Sequence, residues 1–446
     1  MTTANATDFY QNAFHDTVDL LPASGSLRVQ RLRQSALARF AILGFPSSRD
    51  EDWKYTRLTS FERQQFRVIA EDDISLDDSV VQALAQHHDL PGYRLVFIDG
   101  YYAPHLSTGD SLPHGLSFNS IGWALSDEDT AVIEALEQAD KSVDNGFEAL
   151  NIAYLSDGVN LQVAENTIVA EPVNLVFINL GQVNSGAHVR NLLTLESGSQ
   201  ASVTETYIGL ADNSYFSNSH TGVMLAENAR LEFHTLQQQG QNAIHIAGLK
   251  VKQQADSHFG YHCFSLGGRL VRQDLEITLA APGAECLVNA LLLGQGRQHM
   301  DLHTRVDHSV PHCNSQEYVR GILDGRARGV LDGKITVRPQ AQKTDARLVS
   351  KNLLLSRHAE MDVKPQLEIY ADDVKCSHGT TVGELDDDAL FYLRSRGLDE
   401  TTARALMTYA FADDILGRVP SAALRSSLRQ RLLAHLPQAL HIKELL

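Results

Sequence analysis

Cys376 and His378 lie two residues apart in the run Asp372-Asp373-Val374-Lys375-Cys376-Ser377-His378-Gly379. On an extended backbone, residues i and i+2 share a face, so this thiol and imidazole can address one metal or cluster together. Both groups are good iron ligands. Two ligands do not close a site that usually needs about four, so another chain or a distant segment must supply the rest. The neighbouring Lys375 is expected to lower the thiol pKa. Read from the residues alone, a metal or sulfur role stands beside simple packing.

Other residues of chemical type carry less. His299, His303, His308, His312 and Cys313 form a second cluster in sequence. The pattern around them alternates as a strand does, which puts His299 and His303 on one face and His308 on the other. Ordinary hydrogen-bonded histidines are expected there rather than a metal site. Cys263 and Cys286 sit in apolar strand patterns and read as small buried hydrophobes. His262 should point away from Cys263. No phosphate-binding loop, Gly-x-Ser-x-Gly elbow or His-Glu-x-x-His pair is present, and Gly267-Gly268 and Gly294-Gln295-Gly296 read as turns.

The 446 residues are 43% hydrophobic and carry a formal net charge of -17. That balance disfavours nucleic acid and anionic membrane surfaces as partners. No apolar run reaches the roughly 18 to 20 residues of a membrane span. Met1 to Leu20 contains Asp8, Asp16 and Asp19 without the order of a secretion signal, so a cytoplasmic protein is expected. The four cysteines make no CxxC pair, and disulfides are not expected.

The positioning elements fall into three stretches. Ser26 to Leu43 reads as a helix, with Val29, Leu32, Ala36, Phe40 and Leu43 on its apolar stripe. Ser26 should cap it, Gly44 should end it, and Arg28, Arg31, Arg33 and Arg39 should form its solvated face. The charged run Arg49 to Thr56 holds two aromatics, Trp53 and Tyr55. Strand character at Tyr93 to Tyr102 is broken by Asp99-Gly100. Helical patterns follow at Thr130 to Ala139 and Asn145 to Tyr154.

From about Val159 to Tyr370, short alternating runs are separated by turn residues. An echo at Ala201, Ala229, Ala255 and Ala284, spaced 28, 26 and 29 residues apart, suggests a solenoid of stacked coils, with a β-sandwich as the alternative. After Asp386 the pattern is helical. Ala389 to Arg396 is followed by a helix capped by Asp399 with Ala403, Leu406, Met407, Ala410 and Phe411 on one stripe, then by one bearing Leu424, Leu428, Leu432 and Leu436. Helices in that place can cap the solenoid's end or present a face to a partner, and on their pattern alone capping is favoured.

Four runs carry a family resemblance. They are Asn352-Leu353-Leu354-Leu355-Ser356, Pro365-Gln366-Leu367-Glu368-Ile369, Ala371 to Gly379 through Cys376-Ser377-His378, and Leu390-Phe391-Tyr392-Leu393-Arg394-Ser395-Arg396-Gly397. Together with Pro46 through Asp52-Trp53-Lys54-Tyr55-Thr56, they resemble the SufB/SufD family of iron–sulfur cluster assembly proteins, on the SufD side of it. The resemblance spans nearly the whole chain. It implies a mainly β protein, a right-handed parallel β-helix flanked by helical regions. The expected units are an N-terminal, mostly helical region at 1–158, the β-helix at 159–375 and a C-terminal helical region at 376–446. It also implies a non-catalytic scaffold in a complex of SufB, SufD and two copies of the ATPase SufC. His378, with Cys376 beside it, would face a transient iron–sulfur cluster at the interface with SufB. Leu390, Phe391, Leu393, Leu406, Met407, Ala410 and Phe411 would dock the ATPase. A reduced flavin, FAD, in the assembled complex is a further implication, and no fingerprint for it is visible in this chain. An open β-helix end would also let the isolated chain pair with itself. Two other readings are a β-helix enzyme acting on acidic polysaccharide and a SufB-type primary scaffold.

Overall fold

The computed structural model describes residues 3–74, 78–87, 90–108, 112–436 and 442–443. Among the described residues, seven α-helices precede the main β region: α1 Thr3–Thr17, α2 Leu27–Leu43, α3 Thr59–Glu62, α4 Asp78–His87, α5 Ile121–Ser126, α6 Thr130–Lys141 and α7 Gly146–Ala153. Among them lie β1 Arg67–Val68, β2 Tyr93–Ile98, β3 Tyr101–Tyr102 and β4 Leu116–Ser120. In α2, Ser26 accepts from the Val29 N–H, and Gly44 ends the helix at φ +62°.

Two expectations for α2 fail: Leu43, placed on the apolar stripe at the last turn, is exposed, and Arg33 is not on the solvated face. Arg33 is buried, at 2% exposure, and donates to the carbonyls of Ala153, Leu155 and Pro22 at 2.8–3.2 Å. It lies four residues after Val29 and three before Ala36, which places it on the buried stripe rather than on the arginine face. Burial pushes its pKa down to about 10. Arg28 and Arg39 reach out to Glu137 and Asp140 of α6.

The main β region comprises β5 Val159–Val163, β6 Val173–Asn179, β7 Ser185–Leu195, β8 Gln200–Gly209, β9 Phe216–Leu225, β10 Arg230–Gln238, β11 Ile244–Gln253 and β12 His258–Ser265. It continues through β13 Leu270–Leu279, β14 Glu285–Gly294, β15 His299–His308, β16 Asn314–Leu323, β17 Arg328–Val337, β18 Asp345–Leu354, β19 Glu360–Ile369 and β20 Lys375–Gly383. Odd strands from β5 onward pair in one sheet (sheet A) and even strands from β6 in the other (sheet B), every strand with the one two places on. These ladders are parallel; the antiparallel pairs named are β2–β3 and β4–β5. Chain alternation between two parallel sheets is a β-solenoid, and the sandwich reading is set aside. Strand β2 joins sheet B beside β6, so the N-terminal stretch contributes to the solenoid directly.

The repeat is marked by a turn rather than by the alanine echo. Asn166, Gly198, Asn228, Asp256, Gly283, His312 and Lys343 all have φ between +53° and +75°. The N–H of each from Gly198 onward bonds a carbonyl one coil ahead: Gly198 to Glu227, Asn228 to Ala255, Asp256 to Pro282, Gly283 to His312, His312 to Gln342 and Lys343 to Asp373. The next residues are small or medium-sized and buried: Ser199, Ala229, Ser257, Ala284, Cys313 and Thr344. Ala229 and Ala284 belong to that column, whereas Ala201 and Ala255 occupy other positions, so the period was legible and its register was not.

Between the sheets lies a continuous apolar core with stacked aromatics, Phe97 on Phe177 on Tyr207 at 5.0–5.1 Å. Three C-terminal helices follow: α8 Asp387–Ser395, α9 Glu400–Leu416 and α10 Ala422–Ala434, N-capped by Asp386, Asp399 and Ser421. Helices α9 and α10 lie along the outer face of sheet B, with Ala405, Tyr409, Ala412 and Ile415 and then Leu424, Leu428 and Leu432 against Leu236, Phe264, Leu291 and Ile322. They cover a flank and leave the end of the solenoid open, so the end-capping reading is corrected. The stripe expected for α9 is met in part: Ala403 is buried, Leu406, Met407 and Phe411 are half-buried and Ala410 is exposed. No helix among the described residues is long and apolar enough to cross a membrane.

Buried charge fastens the N-terminal helices to sheet A. Glu148 of α7 accepts from Arg190 of β7 at 2.9 Å and from Lys250 of β11 at 2.6 Å. Asn151, one turn on, bonds the carbonyls of Val189 and Asn218, and Asn218 returns a bond to the carbonyl of Phe147. Arg190 and Lys250 outweigh burial and hold the Glu148 carboxyl down at about 2, below its usual 4.5. Its contribution is therefore full above about pH 4.5 and is lost as pH falls toward 2. Glu148→Gln should destabilise the protein by about 3–5 kcal/mol at neutral pH, because it strands buried cations. Urea titrations should also show the variant losing less further stability than the parent between pH 4.5 and pH 2.

Candidate functional site

Strand β20 is the last of its sheet, paired with β18 on one side only. Cys376 stands opposite buried Ala346, and His378 opposite buried Leu348. Both therefore share the face that continues the solenoid interior, and Cys376 packs partly into that core. No further coil covers them among the described residues: β20 is mostly exposed and β19 is half-exposed along its length. Ile369, Tyr370 and Val382 add apolar surface to the same end. His378 has no side-chain hydrogen-bond partner among the described residues.

The expected effect of Lys375 is reversed. Its position alternates to the other face, where it stands opposite Asp345. The Cys376 thiol is instead pushed up, first by burial and then by the Asp345 carboxylate. A raised thiol pKa keeps Cys376 mostly protonated near neutral pH.

The histidine-rich stretch resolves as hydrogen-bonded residues. His299 Nε2 lies 2.8 Å from the Thr56 hydroxyl, and His308 Nε2 lies 2.8 Å from the Ser315 hydroxyl on the opposite, inner face. His312 occupies a left-handed turn, and Cys313 directs its thiol to the Ala281 carbonyl. Cys263 and Cys286 are buried in the core, and all four cysteines are free.

The run Asp52 to Thr56 forms a latch, a role not read from its sequence. Trp53 is buried beneath the Arg272 guanidinium, 3.8 Å from its ring centroid. Arg272 pairs with Asp274 at 2.8 Å and Asp301 at 2.9 Å and donates to the Asp52 carbonyl, while the Thr56 hydroxyl donates to Asp301. The legible signal was a tryptophan among acids; the partner arginine lies over 200 residues away in sequence.

At the C-terminal side, α8 rests on α9 with Leu390 buried and Leu393 half-buried, while Phe391 and Tyr392 are 73% and 56% exposed. Met407 and Phe411 line a cleft of about 290 Å³ with Lys351, Asn352, Val382 and Leu385, beside the end of β20.

The described residues thus form a two-sheet solenoid with helices along both flanks and an uncovered end that carries a thiol and an imidazole. The chain matches the SufBD protein N-terminal region over residues 4–175 and the SufBD core domain of the SUF system for FeS cluster assembly over 177–411. It is 33% identical to the iron–sulfur cluster assembly protein SufD of Escherichia coli over 435 residues, covering 96% of this chain and 97% of that protein. It is 32% identical to an iron–sulfur cluster assembly SufBD family protein of Synechocystis over 89% of each chain. It is also 27% identical to the chloroplastic protein ABCI7 of Arabidopsis thaliana over 94% of this chain and 88% of that protein. The chain belongs to the SufBD family of iron–sulfur cluster assembly proteins.

With three thiols sealed in the core, Cys376 should be the one cysteine alkylated by iodoacetamide in the native protein. Its raised pKa should make that reaction slower at pH 8 than with a free cysteine and steeper with rising pH. Peptide mass mapping over time reads both; reaction faster than free cysteine would mean a stabilised thiolate.

Proposed function

We propose that this chain is the SufD-type scaffold subunit of a SufBCD-like complex. Its open end pairs with a SufB-like subunit, and a nascent iron–sulfur cluster forms between them. His378, with Cys376 beside it, supplies this chain's side of the cluster site, and the partner supplies the remaining ligands. The observation that carries this reading is the unpaired last coil holding both residues on its uncovered interior face. An exposed strand edge is a template for another chain, and proteins rarely leave one uncovered without use. The same edge supports self-pairing when the chain is alone.

A SufC-like ATPase docks on the C-terminal helices. Leu390, Phe391, Leu393, Leu406, Met407, Ala410 and Phe411 surround that surface, with exposed Phe391 and Tyr392 as its aromatic anchors. ATP is hydrolysed by that partner, and this chain acts without catalysis of its own. The working division makes residues 1–158 the brace, 159–375 the solenoid and 376–446 the partner-facing unit, which opens on β20. The reading places the protein in the cytoplasm and assigns it no nucleic acid or membrane partner.

Deleting everything after Leu385 would bare the apolar flank under α9 and α10, so point substitutions test the docking more cleanly. In anaerobic affinity capture with the two partner subunits, Phe391→Ala with Tyr392→Ala should weaken ATPase retention about tenfold or more, with unchanged unfolding temperature. His378→Ala should keep both partners and lower the iron and sulfide bound after reconstitution. Unchanged cluster yield would remove His378 from the site.

A further inference from the structure

A second group of ligand-type side chains lies on the outer face of sheet B, away from the open end. On β10 and β12 the inner positions Leu231, Phe233, Phe259 and Tyr261 fill the core. The alternate positions face outward in register, Arg230 opposite His258, Glu232 opposite Gly260 and His234 opposite His262. The two rings of His234 and His262 stack with centroids 5.1 Å apart. Because residue 260 is glycine, the Glu232 carboxylate lies over it; a Cβ there would come within 2.3 Å of Oε2. In that place Glu232 is 3.2 Å from His262 Nε2 and 3.6 Å from His258 Nε2.

Hydrogen bonding explains part of this group and leaves one atom over. His234 Nδ1–H donates to the Val203 carbonyl at 3.3 Å, which fixes its tautomer. Its Nε2 lone pair is then buried without a partner. Such an atom is costly unless something uses it. A backbone carbonyl orienting the far nitrogen of a histidine is the usual outer-shell arrangement of a metal ligand. One ligand atom from each of Glu232, His234 and His262 lies within 4.8 Å of the others, close enough to share an ion bound at about 2.1 Å after small rotations.

We propose that Glu232, His234 and His262 bind one divalent first-row transition ion, of the zinc or ferrous class, with His258 as a further ligand from the exposed side. Two imidazoles and a carboxylate suit those ions rather than magnesium or calcium. The Nδ1–H bond to the Val203 carbonyl leaves the His234 Nε2 lone pair aimed at the site. Glu232 and His258 are partly exposed, so an ion has a route from solvent. On loading, the Nε2–H to Glu232 hydrogen bond of His262 gives way to the two metal bonds, and the proton moves to Nδ1. Asn289, whose Oδ1 is buried and unpartnered, can turn to accept it. That turn releases the Ile415 carbonyl that Asn289 now bonds near the end of α9.

A rival group, Asp52, His303 and Asp332, is already served by fixed cations. Arg272 Nη1 lies 3.1 Å from His303 Nε2, and Lys364 lies 3.4 Å from Asp332. These cations oppose a metal there.

The test uses the full chain carrying Cys376→Ser and His378→Ala, so that the open end contributes no ligands. Anaerobic calorimetric titration with zinc chloride and with ferrous ion, and magnesium as control, should show about one equivalent of zinc or iron and none of magnesium. Glu232→Gln and His234→Ala should each weaken uptake about 100-fold or more, beyond the 10–100-fold typical of outer-shell changes. Gly260→Ala, which displaces the carboxylate and removes no ligand, should weaken it too. If His234→Ala does not fold, Glu232→Gln at its partly exposed position still decides the matter. Uptake unchanged in Glu232→Gln and Gly260→Ala, or no uptake by the parent, overturns the proposal.

Discussion

Everything in this molecule hangs on the in-register stacking of one coil upon the next. A left-handed residue at the same turn of each coil sends its N–H to the coil ahead and keeps successive coils aligned. Aspartate, asparagine and glycine suit that conformation, and His312 and Lys343 are held in it by the stack. Register then converts sequence spacing into columns. Aromatic residues stack on aromatic residues in the core, small residues fill the turn column, and histidine meets histidine on the outer face. A parallel ladder satisfies each coil only by adding another, so the last coil leaves a row of backbone groups unpaired. The open end with Cys376 and His378 follows from the same regularity that builds the rest.

The first 150 or so residues join the coils through an aromatic core against Phe216, Ile244 and Leu270, through β2 and β4, and through buried charges. Glu148 ties α7 to two strands of sheet A, and Arg272 ties the Trp53 segment to sheet A further along. Each ion sits among several partners, which offsets the cost of taking it from water. Such pairs are demanding in geometry, so they favour one docking of helices on strands over the many an apolar contact would tolerate. On the opposite flank, α9 and α10 attach through an apolar seam pinned by Arg320 to Asp414 and Asn289 to the Ile415 carbonyl. The result is a solenoid with N-terminal helices on one flank, C-terminal helices on the other and an end that no further coil covers among the described residues.

The division of ligand groups between end and flank is chemically consistent. At the end, a half-buried thiol with a raised pKa and an exposed imidazole share one uncovered face of β20. On the flank, two buried imidazoles and a carboxylate are preassembled within one chain. The proposed function uses the first arrangement for a cluster shared with a partner, and the proposed ion site uses the second within this chain.

Much of this was legible in sequence. The helix from Leu27 to Leu43, its serine cap and glycine stop, the solenoid texture after Val159, the C-terminal helices and the Cys376–His378 pair all follow from local patterns, because capping, alternation and i, i+2 geometry are local properties. What the sequence could not rank were choices made by distant partners. Arg33 looked like one more surface arginine until the carbonyls of residues 153 and 155 came to it. Lys375 looked able to acidify Cys376 until the strand turned it to the other face. The alanine echo showed a period but not its phase, since phase is fixed by hydrogen bonds between coils about 30 residues apart. Glu232, His234 and His262 carried no motif, because their proximity exists only once β10 and β12 pair in register. The sequence by itself determined the elements and the chemistry available to them. Tertiary structure alone decided which side chains meet, because long-range register and burial are set by the whole stack at once.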